Sequence, residues 1–402
     1  MTDRRTVAVI FGGQSIEHDV GVLTGIQIMD AMDSARWAPL PVYVDPQGAW
    51  WTGQALRDRR NYLLGDQTKA KLQRVRLALG AGADGGPALE PVGGGGLFGR
   101  RPAPIAFDLA IPSIHGTSGE DGSLQGAFEM AGVPYVGCRV LGAAAYMDKP
   151  FAKQIFQGLG LPTLPGKVVE RPAPGRFPDF GEIAAALALD YPVCVKPANL
   201  GSSVGVARCD GSQQLGPALA QVFKLDTAAL IEPFVANLVE YNVAVTRAFG
   251  EIRVSAIERP LRQSELLDFR AKYLASGDQD TKLKVPFSEG MASATRVINP
   301  PELSTEQAET IRDVARRAFL AIDGRGTARI DFLGDGATGR LWINEVNTFP
   351  GSLAYYLWER ADPAVGFTEL LSALIEEGFL LARWRHRATD PTLGNATVFK
   401  RG

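Results

Sequence analysis

The sequence predicts an α/β protein of about three units, and three observations carry that expectation. Short apolar, β-branched runs closed by glycines alternate with helix-like segments from Val7 onward. A chain of 402 residues allows two to four domains at ~100–200 residues each. The pattern changes character near Gly137 and again near Glu232, which divides the chain into residues 1–137, 138–232 and 233–385, with a loose tail over 386–402.

Val7 to Phe11 form the first strand, closed by Gly12-Gly13, and a helix follows from about Ile16 to Met32. Pro39 to Val44 reads as the next strand. From Gly80 to Gly99, nine of twenty residues are glycine, so we expect an insertion of about 65–104 too poor in apolar surface to order itself. Phe107 to Ser113 is a strand, His115 to Gly122 a loop, and Ser123 to Ala131 a helix. The middle unit reads as a helix over Pro150 to Gly158, a proline-rich link, a helix near Glu182 to Leu189, and strands at Pro192 to Lys196, Val204 to Arg208 and Ala228 to Glu232. The last has strands near Glu240 to Arg247 and Glu251 to Ile257, a polar loop from Ser264 to Ala292, a helix from Thr305 to Ile322, and strands Gly326 to Phe332 and Leu341 to Val346.

Composition narrows the function. Forty-two Lys and Arg against forty-four Asp and Glu give a net charge of −2, so no basic excess is available for nucleic acid or an anionic membrane, and neither is expected as a partner. No apolar run approaches the ~20 residues of a membrane span. After Arg4-Arg5 only five apolar residues, Val7 to Phe11, precede Gly12, too few for a secretory core, so we expect a cytoplasmic protein. The three cysteines, Cys138, Cys194 and Cys209, form no C-x-x-C and read as reduced structural thiols. Three histidines leave little for a zinc site.

Asp331 ends one strand, and Glu345 and Asn347 end the next. Alternate strand residues share a face, so a hairpin gathers three hard oxygen donors of the kind Mg²⁺ prefers; a solvated acidic face is the alternative. Lys196 lies inside the apolar run Pro192 to Pro197 and needs an anionic partner if buried. The following Gly201-Ser202-Ser203 loop offers backbone N–H groups to a phosphate, although an edge-strand lysine beside a plain turn has the same spacing. No Walker A sequence occurs. Glu17 and His18 at the first helix, and His115, Glu120 and Asp121 on the loop after Ser113, flank the strand ends where open α/β sheets bind ligands.

The segments VIFGGQSIEHDV (9–20), HGTSGEDGSLQG (115–126), YMDKPFAK (146–153), VKPANLGSSVGV (195–206), AKYL (271–274), ARIDF (328–332) and NEVNTFPG (344–351) occur in that order. Together they resemble the ATP-grasp ligases, and among them the D-alanine–D-alanine ligase family, from Val7 to about Ile375 apart from the insertion. The resemblance implies an ATP-grasp fold of three α/β domains, with ATP between the central and C-terminal ones. It implies that Lys149, Lys196 and Ser203 meet the phosphates, that Glu232, Phe234 and Val235 form the adenine hinge, and that Glu240 binds ribose. Asp331, Glu345 and Asn347 would hold two Mg²⁺, with Mn²⁺ able to substitute. Glu17 would bind the first D-alanine's ammonium, supported by His115 and Glu120 and networked with Ser202 and Tyr273. Arg329 and the Gly351 N–H would stabilise the oxyanion, and Ser352 and Tyr356 would line the acceptor site.

The implied activity is joining of two D-alanine molecules for peptidoglycan precursors through a D-alanyl phosphate, releasing ADP and phosphate, in a homodimer. Three positions depart from the family: Pro233 stands where a lysine is usual, Gly21 where a serine is common, and Tyr356 where a serine would meet the second substrate's carboxylate. A changed acceptor, an amino acid or a D-hydroxy acid, is therefore carried as the alternative. A nucleotide-binding regulator without catalysis is the third reading.

Overall fold

The computed structural model describes residues 4–62, 70–79, 86–93, 102–176, 178–261 and 296–389. Three sheets organise them. The first contains β1 (Arg5–Gly12), β2 (Trp37–Val44), β3 (Trp50–Thr52), β4 (Gln73–Leu77), β5 (Ala88–Pro91), β6 (Ile105–Ala106) and β7 (Leu109–Ser113), in the order β6-β5-β4-β3-β2-β1-β7. β1 runs parallel to β2 and β7. Val7 to Phe11 are wholly buried, as a central parallel strand covered on both faces requires. The helix α1 (His18–Ala31) follows β1, and α2 (Ser123–Met130) follows β7.

The glycine-rich stretch corrects one expectation. β3 to β6 form an antiparallel meander that extends the first sheet, and β4 and β5 lie inside the segment expected to be loose. Leu89 of β5 is fully buried beside Val75, Phe107 and Ala110. Glycine content hid a four-residue strand whose apolar pair, Ala88-Leu89, is enough to join a core that neighbouring strands already supply.

Two helices, α3 (Val140–Met147) and α4 (Lys149–Gly158), lead to the second sheet. Asp148 caps α4 by accepting from the Phe151 N–H at 2.8 Å, with Pro150 in the first turn. The second sheet is antiparallel, β10 (Ala207–Cys209), β9 (Val193–Pro197), β11 (Ala228–Pro233) and β8 (Lys167–Glu170), covered by α5 (Phe180–Leu187) and α6 (Ser212–Val222). The third has the order β14 (Arg296–Ile298), β13 (Arg253–Pro260), β12 (Leu238–Thr246), β15 (Thr327–Asp335), β16 (Leu341–Asn347). The helix α7 (Thr305–Ala321) covers it and starts at a Ser304/Gln307 capping box. A short helix α8 (Tyr355–Trp358) and the long α9 (Phe367–Thr389) end the described chain.

Packing departs from a contiguous division of the chain at two places. Ala145, Tyr146, Ala152 and Phe156 of α3 and α4 bury against the third sheet, not the second. Leu370, Leu371, Leu374 and Ile375 of α9 return to the first sheet and pack with Val7, Val9, Leu109 and Ile111. Part of the tail expected over 386–402 is helix, since α9 runs to Thr389. Among the described residues, no helix is long and apolar enough to cross a membrane.

Candidate active site

Five separate chain segments meet at one pocket, whose lining includes Glu17, Glu120, Lys149, Gly201, Glu345 and Asn347. Glu17 enters from the start of α1 and is 8% exposed. Its carboxylate accepts a hydrogen bond from the Ser202 hydroxyl. Glycine fits closely around it: Gly116 has a φ of +71° and a Cβ there would lie 2.7 Å from Glu17 Oε2, and a Cβ on Gly201 would lie 3.1 Å away. Burial raises the Glu17 pKa, helped by the Glu345 charge and opposed by Ser202, Lys149 and Arg329.

The loop after β7 supplies two more titratable groups. Glu120 accepts from the Gly116 N–H at 2.8 Å and the Phe349 N–H at 3.1 Å, so it ties this loop to the segment after β16. Burial, then the neighbouring Glu17, pushes its pKa up to about 8. His115 lies behind the pocket wall, with Nε2 3.2 Å from Thr24 Oγ1. Burial lowers its pKa to about 4, which keeps the ring neutral.

Hairpin register decides the acidic cluster. Asp331 pairs with Glu345 and Arg329 with Asn347 across β15 and β16. Like charges directly opposite repel, and cations offset them here. Arg329 donates to both Asp331 oxygens at 2.7 Å, and Lys149 Nζ lies 3.7 Å from Glu345. Asn347 Nδ2 donates to Asp331 at 3.0 Å. Two carboxylates and one amide oxygen fit a hard divalent cation that takes its other ligands from water and phosphate. Among the described residues, no three His, Cys, Asp or Glu side chains gather to hold an ion alone.

On the second sheet, Lys196 of β9 and Glu232 of β11 point to the same face and form an ion pair, and Lys153 of α4 pairs with the other Glu232 oxygen. Lys196 also donates to Asn344 Oδ1 of β16 at 3.1 Å. Burial pushes Glu232 upward, but the two ammonium charges outweigh it and hold the carboxyl below its usual range. Lys149 donates to the Leu200 carbonyl at 2.5 Å, anchoring the loop that carries Ser202. Ser202 and Ser203 both have positive φ, 54° and 58°, and Ser203 is exposed. Phe234 and Val235 lie in the link between the second and third sheets, with the Arg208 guanidinium 4.4 Å above the Phe234 ring. Glu240 stands on β12, opposite Leu333.

Ser352 and Tyr356, expected at the acceptor site, both make contacts within the protein. The Ser352 hydroxyl bonds Gln27 and its N–H bonds Thr24, both on α1. Tyr356 donates to Glu258 at 2.8 Å and lies under Arg296, whose guanidinium is 4.0 Å from the ring centre. Both hydroxyls are thus engaged within the protein. Gly351 begins a turn in which Ser352, Leu353 and Ala354 have φ of 52°, 55° and 51°, a left-handed run that side chains disfavour. The small residue at Gly21 has a steric cause: a Cβ there would lie 3.0 Å from the Gly12 and Ser113 carbonyl oxygens. Tyr273 and the polar loop of 264–292 fall outside the described residues.

Sequence reasoning missed Lys153, Asn344, Glu258 and Arg296. For Lys153 a signal was present, because it follows Lys149 by four residues in a helix and so shares its face.

Residues 6–138 match the family described as D-ala D-ala ligase N-terminus, and residues 155–376 match D-ala D-ala ligase C-terminus. The chain is 36% identical to a D-alanine–D-alanine ligase of Heliobacterium modesticaldum over 97% of its own length and 98% of that protein's. It is 34% identical to D-alanine–D-alanine ligase A of Bradyrhizobium diazoefficiens, with 96% and 97% covered. Its fold is shared with the D-alanine-D-alanine ligase of Coxiella burnetii (TM-score 0.75, 22% identity, 96% and 97% covered). It is also shared with the VanG D-Ala:D-Ser ligase of Enterococcus faecalis (TM-score 0.72, 24% identity, 94% and 100% covered). Both halves of the chain are therefore accounted for, and it belongs to the D-alanine–D-alanine ligase family of ATP-dependent ligases.

Proposed function

We propose that this pocket activates the carboxylate of one D-alanine with ATP and transfers the acyl group to the amine of a second. The observation that carries the reading is the meeting of Glu17, Lys149, Glu345 and Asn347 around one cavity. An anionic group suited to an ammonium, a cation suited to phosphate and hard oxygen donors stand together there. Glu17, oriented by Ser202, holds the donor ammonium, with Glu120 and His115 supporting the wall. Lys149, Lys196 and Ser203 receive the phosphates, Glu232, Phe234 and Val235 the adenine, and Glu240 the ribose.

Donor carboxylate oxygen attacks the γ-phosphorus and ADP leaves, giving a D-alanyl phosphate. The second amine then attacks that carbonyl, and Arg329, its plane fixed by Asp331, stabilises the oxyanion together with the Gly351 N–H before phosphate departs. Asp331, Glu345 and Asn347 would hold two Mg²⁺, replaceable by Mn²⁺, which would supply charge neutralisation at the phosphates. The reading includes a cytoplasmic homodimer and a product destined for peptidoglycan precursors.

A second reading, a different acceptor, is favoured by the engagement of the Tyr356 hydroxyl with Glu258. Phosphate release from ATP, assayed over D- and L-amino acids and D-hydroxy acids with product mass spectrometry, tests both. D-alanyl-D-alanine as the main product, abolished by EDTA, is the expected result. Another dipeptide or an ester supports the second reading, and no D-alanine-dependent phosphate release overturns both.

A further inference from the structure

The Lys153, Glu232 and Lys196 side chains form a buried chain of charge, positive, negative, positive, with exposures of 6%, 2% and 10%. The two lysines differ in how they are held. Lys153 has three acceptors: a Glu232 oxygen, Thr163 Oγ1 at 3.1 Å and the Leu164 carbonyl at 2.8 Å. An ammonium has three N–H donors, so Lys153 is fully used and fixed. Thr163 in turn donates to the Ile343 carbonyl at 3.3 Å, which fastens this anchor to β16. Lys196 has two acceptors, Glu232 and Asn344 Oδ1.

We propose that Lys153 is a positioning residue for the nucleotide: it is the permanent partner of Glu232, and thereby leaves Lys196 exchangeable between that carboxylate and an incoming polyphosphate. This rests on the reading of Lys196 as a phosphate ligand. The charges argue for it. Two ammonium groups share one carboxylate, and the surplus positive charge in a poorly hydrated site is matched when a phosphate arrives. Without Lys153, Glu232 keeps Lys196 as its single strong partner. Turning Lys196 toward phosphate then strands a buried carboxylate, and the pair resists separation.

The test compares Lys153→Met, Lys153→Arg and Thr163→Val with wild type by equilibrium titration with Mg-ADP and by steady-state kinetics. Lys153→Met is expected to weaken ADP binding and raise the ATP KM tenfold or more, with the D-alanine KM within twofold. Lys153→Arg recovers most of the loss by restoring the charge. Thr163→Val, which removes one anchor of Lys153 and leaves the ion pair, weakens ADP binding two- to fivefold. A Lys153→Met protein with native circular dichroism and ADP affinity within twofold of wild type overturns the proposal. So does a loss confined to thermal stability, the outcome of a purely structural role. If Lys153→Met does not fold, Thr163→Val decides, and unchanged ADP affinity in it overturns the proposal. Failure of wild type itself to bind Mg-ADP overturns the nucleotide reading and this inference with it.

Discussion

Ser202 and Glu17 stand 185 residues apart in the chain, and the serine hydroxyl donates to the glutamate carboxylate. The bond joins the loop after β9 to the start of α1, so the pocket that Glu17 and Gly201 line needs the first and second sheets together.

That relationship predicts a pH signature. In the proposed role Glu17 must be ionised to hold the donor ammonium, and burial raises its pKa, while Ser202 lowers it. Donor kcat/KM therefore falls as pH drops through the raised value. Ser202→Ala removes the lowering interaction, so its acid limb moves to higher pH. At neutral pH the variant is expected to lose about tenfold or more in donor kcat/KM, the scale of one hydrogen bond to a charged group. A pH-rate profile with an unmoved acid limb contradicts this.

Tyr356 gives a prediction about the acceptor. Its hydroxyl is held by Glu258 and its ring by Arg296, so in the proposed acceptor site the phenol would act as a wall and not as a ligand. Tyr356→Ser is expected to shift the acceptor KM threefold or more, while positional isotope exchange in ATP, which reports acyl phosphate formation, stays within twofold. Truncation also costs about 2–3 kcal/mol of stability. Equal acceptor KM values and preferences in both proteins refute it.

Leu89 tests the corrected glycine-rich stretch. Because it is wholly buried, Leu89→Ala should destabilise by about 2–4 kcal/mol and leave the kcat of folded protein unchanged. Deleting residues 80–99 removes β5 and should cost more. A deletion with unchanged urea unfolding would show that β5 adds nothing to the core it joins.

Glu377 of α9 accepts the Gly326 N–H at 2.7 Å at the entry to β15, and burial pushes its pKa up to about 7 from 4.5. Between those values the folded state keeps a proton that the unfolded chain releases. Stability from the protonated form is thus complete below pH 4.5 and is lost as pH rises through about 7. Glu377→Gln should flatten this decline and be more stable than wild type at pH 8, by on the order of 1–3 kcal/mol. Part of the slope should persist, since Glu120, with a pKa of about 8, acts in the same direction. Parallel melting curves against pH would exclude Glu377 as a source.

The elements that carry chemistry were legible because local pattern and tertiary role agree in them. Val7 to Phe11 is an apolar run because β1 is central, and the alternation through Asp331 and Glu345 follows a real hairpin register. Lys196 inside an apolar strand correctly signalled a buried partner. What stayed illegible depends on distant neighbours. Leu89 is a core residue through Val75 and Phe107, not through its glycine-rich flanks. No spacing in the sequence couples Tyr356 to Glu258, 98 residues earlier, or Lys153 to Glu232. The helix α9 is amphipathic in any context, and its pattern does not say which of three sheets it covers.

The return of α9 to the first sheet bears on the order in which the molecule matures at the ribosome. Leu370, Leu371, Leu374 and Ile375 complete the face of β1 and β7 formed by Val7, Val9, Leu109 and Ile111. β1 thus waits for α9, and domain-by-domain folding cannot complete the core of the first sheet until the chain through Ile375 has emerged. Truncation before Phe367 removes the α9 part of that cover and leaves only the α1 side, Val22, Ile28 and Met29, in place, so nascent chains stalled there should bind chaperones through β1 and β7.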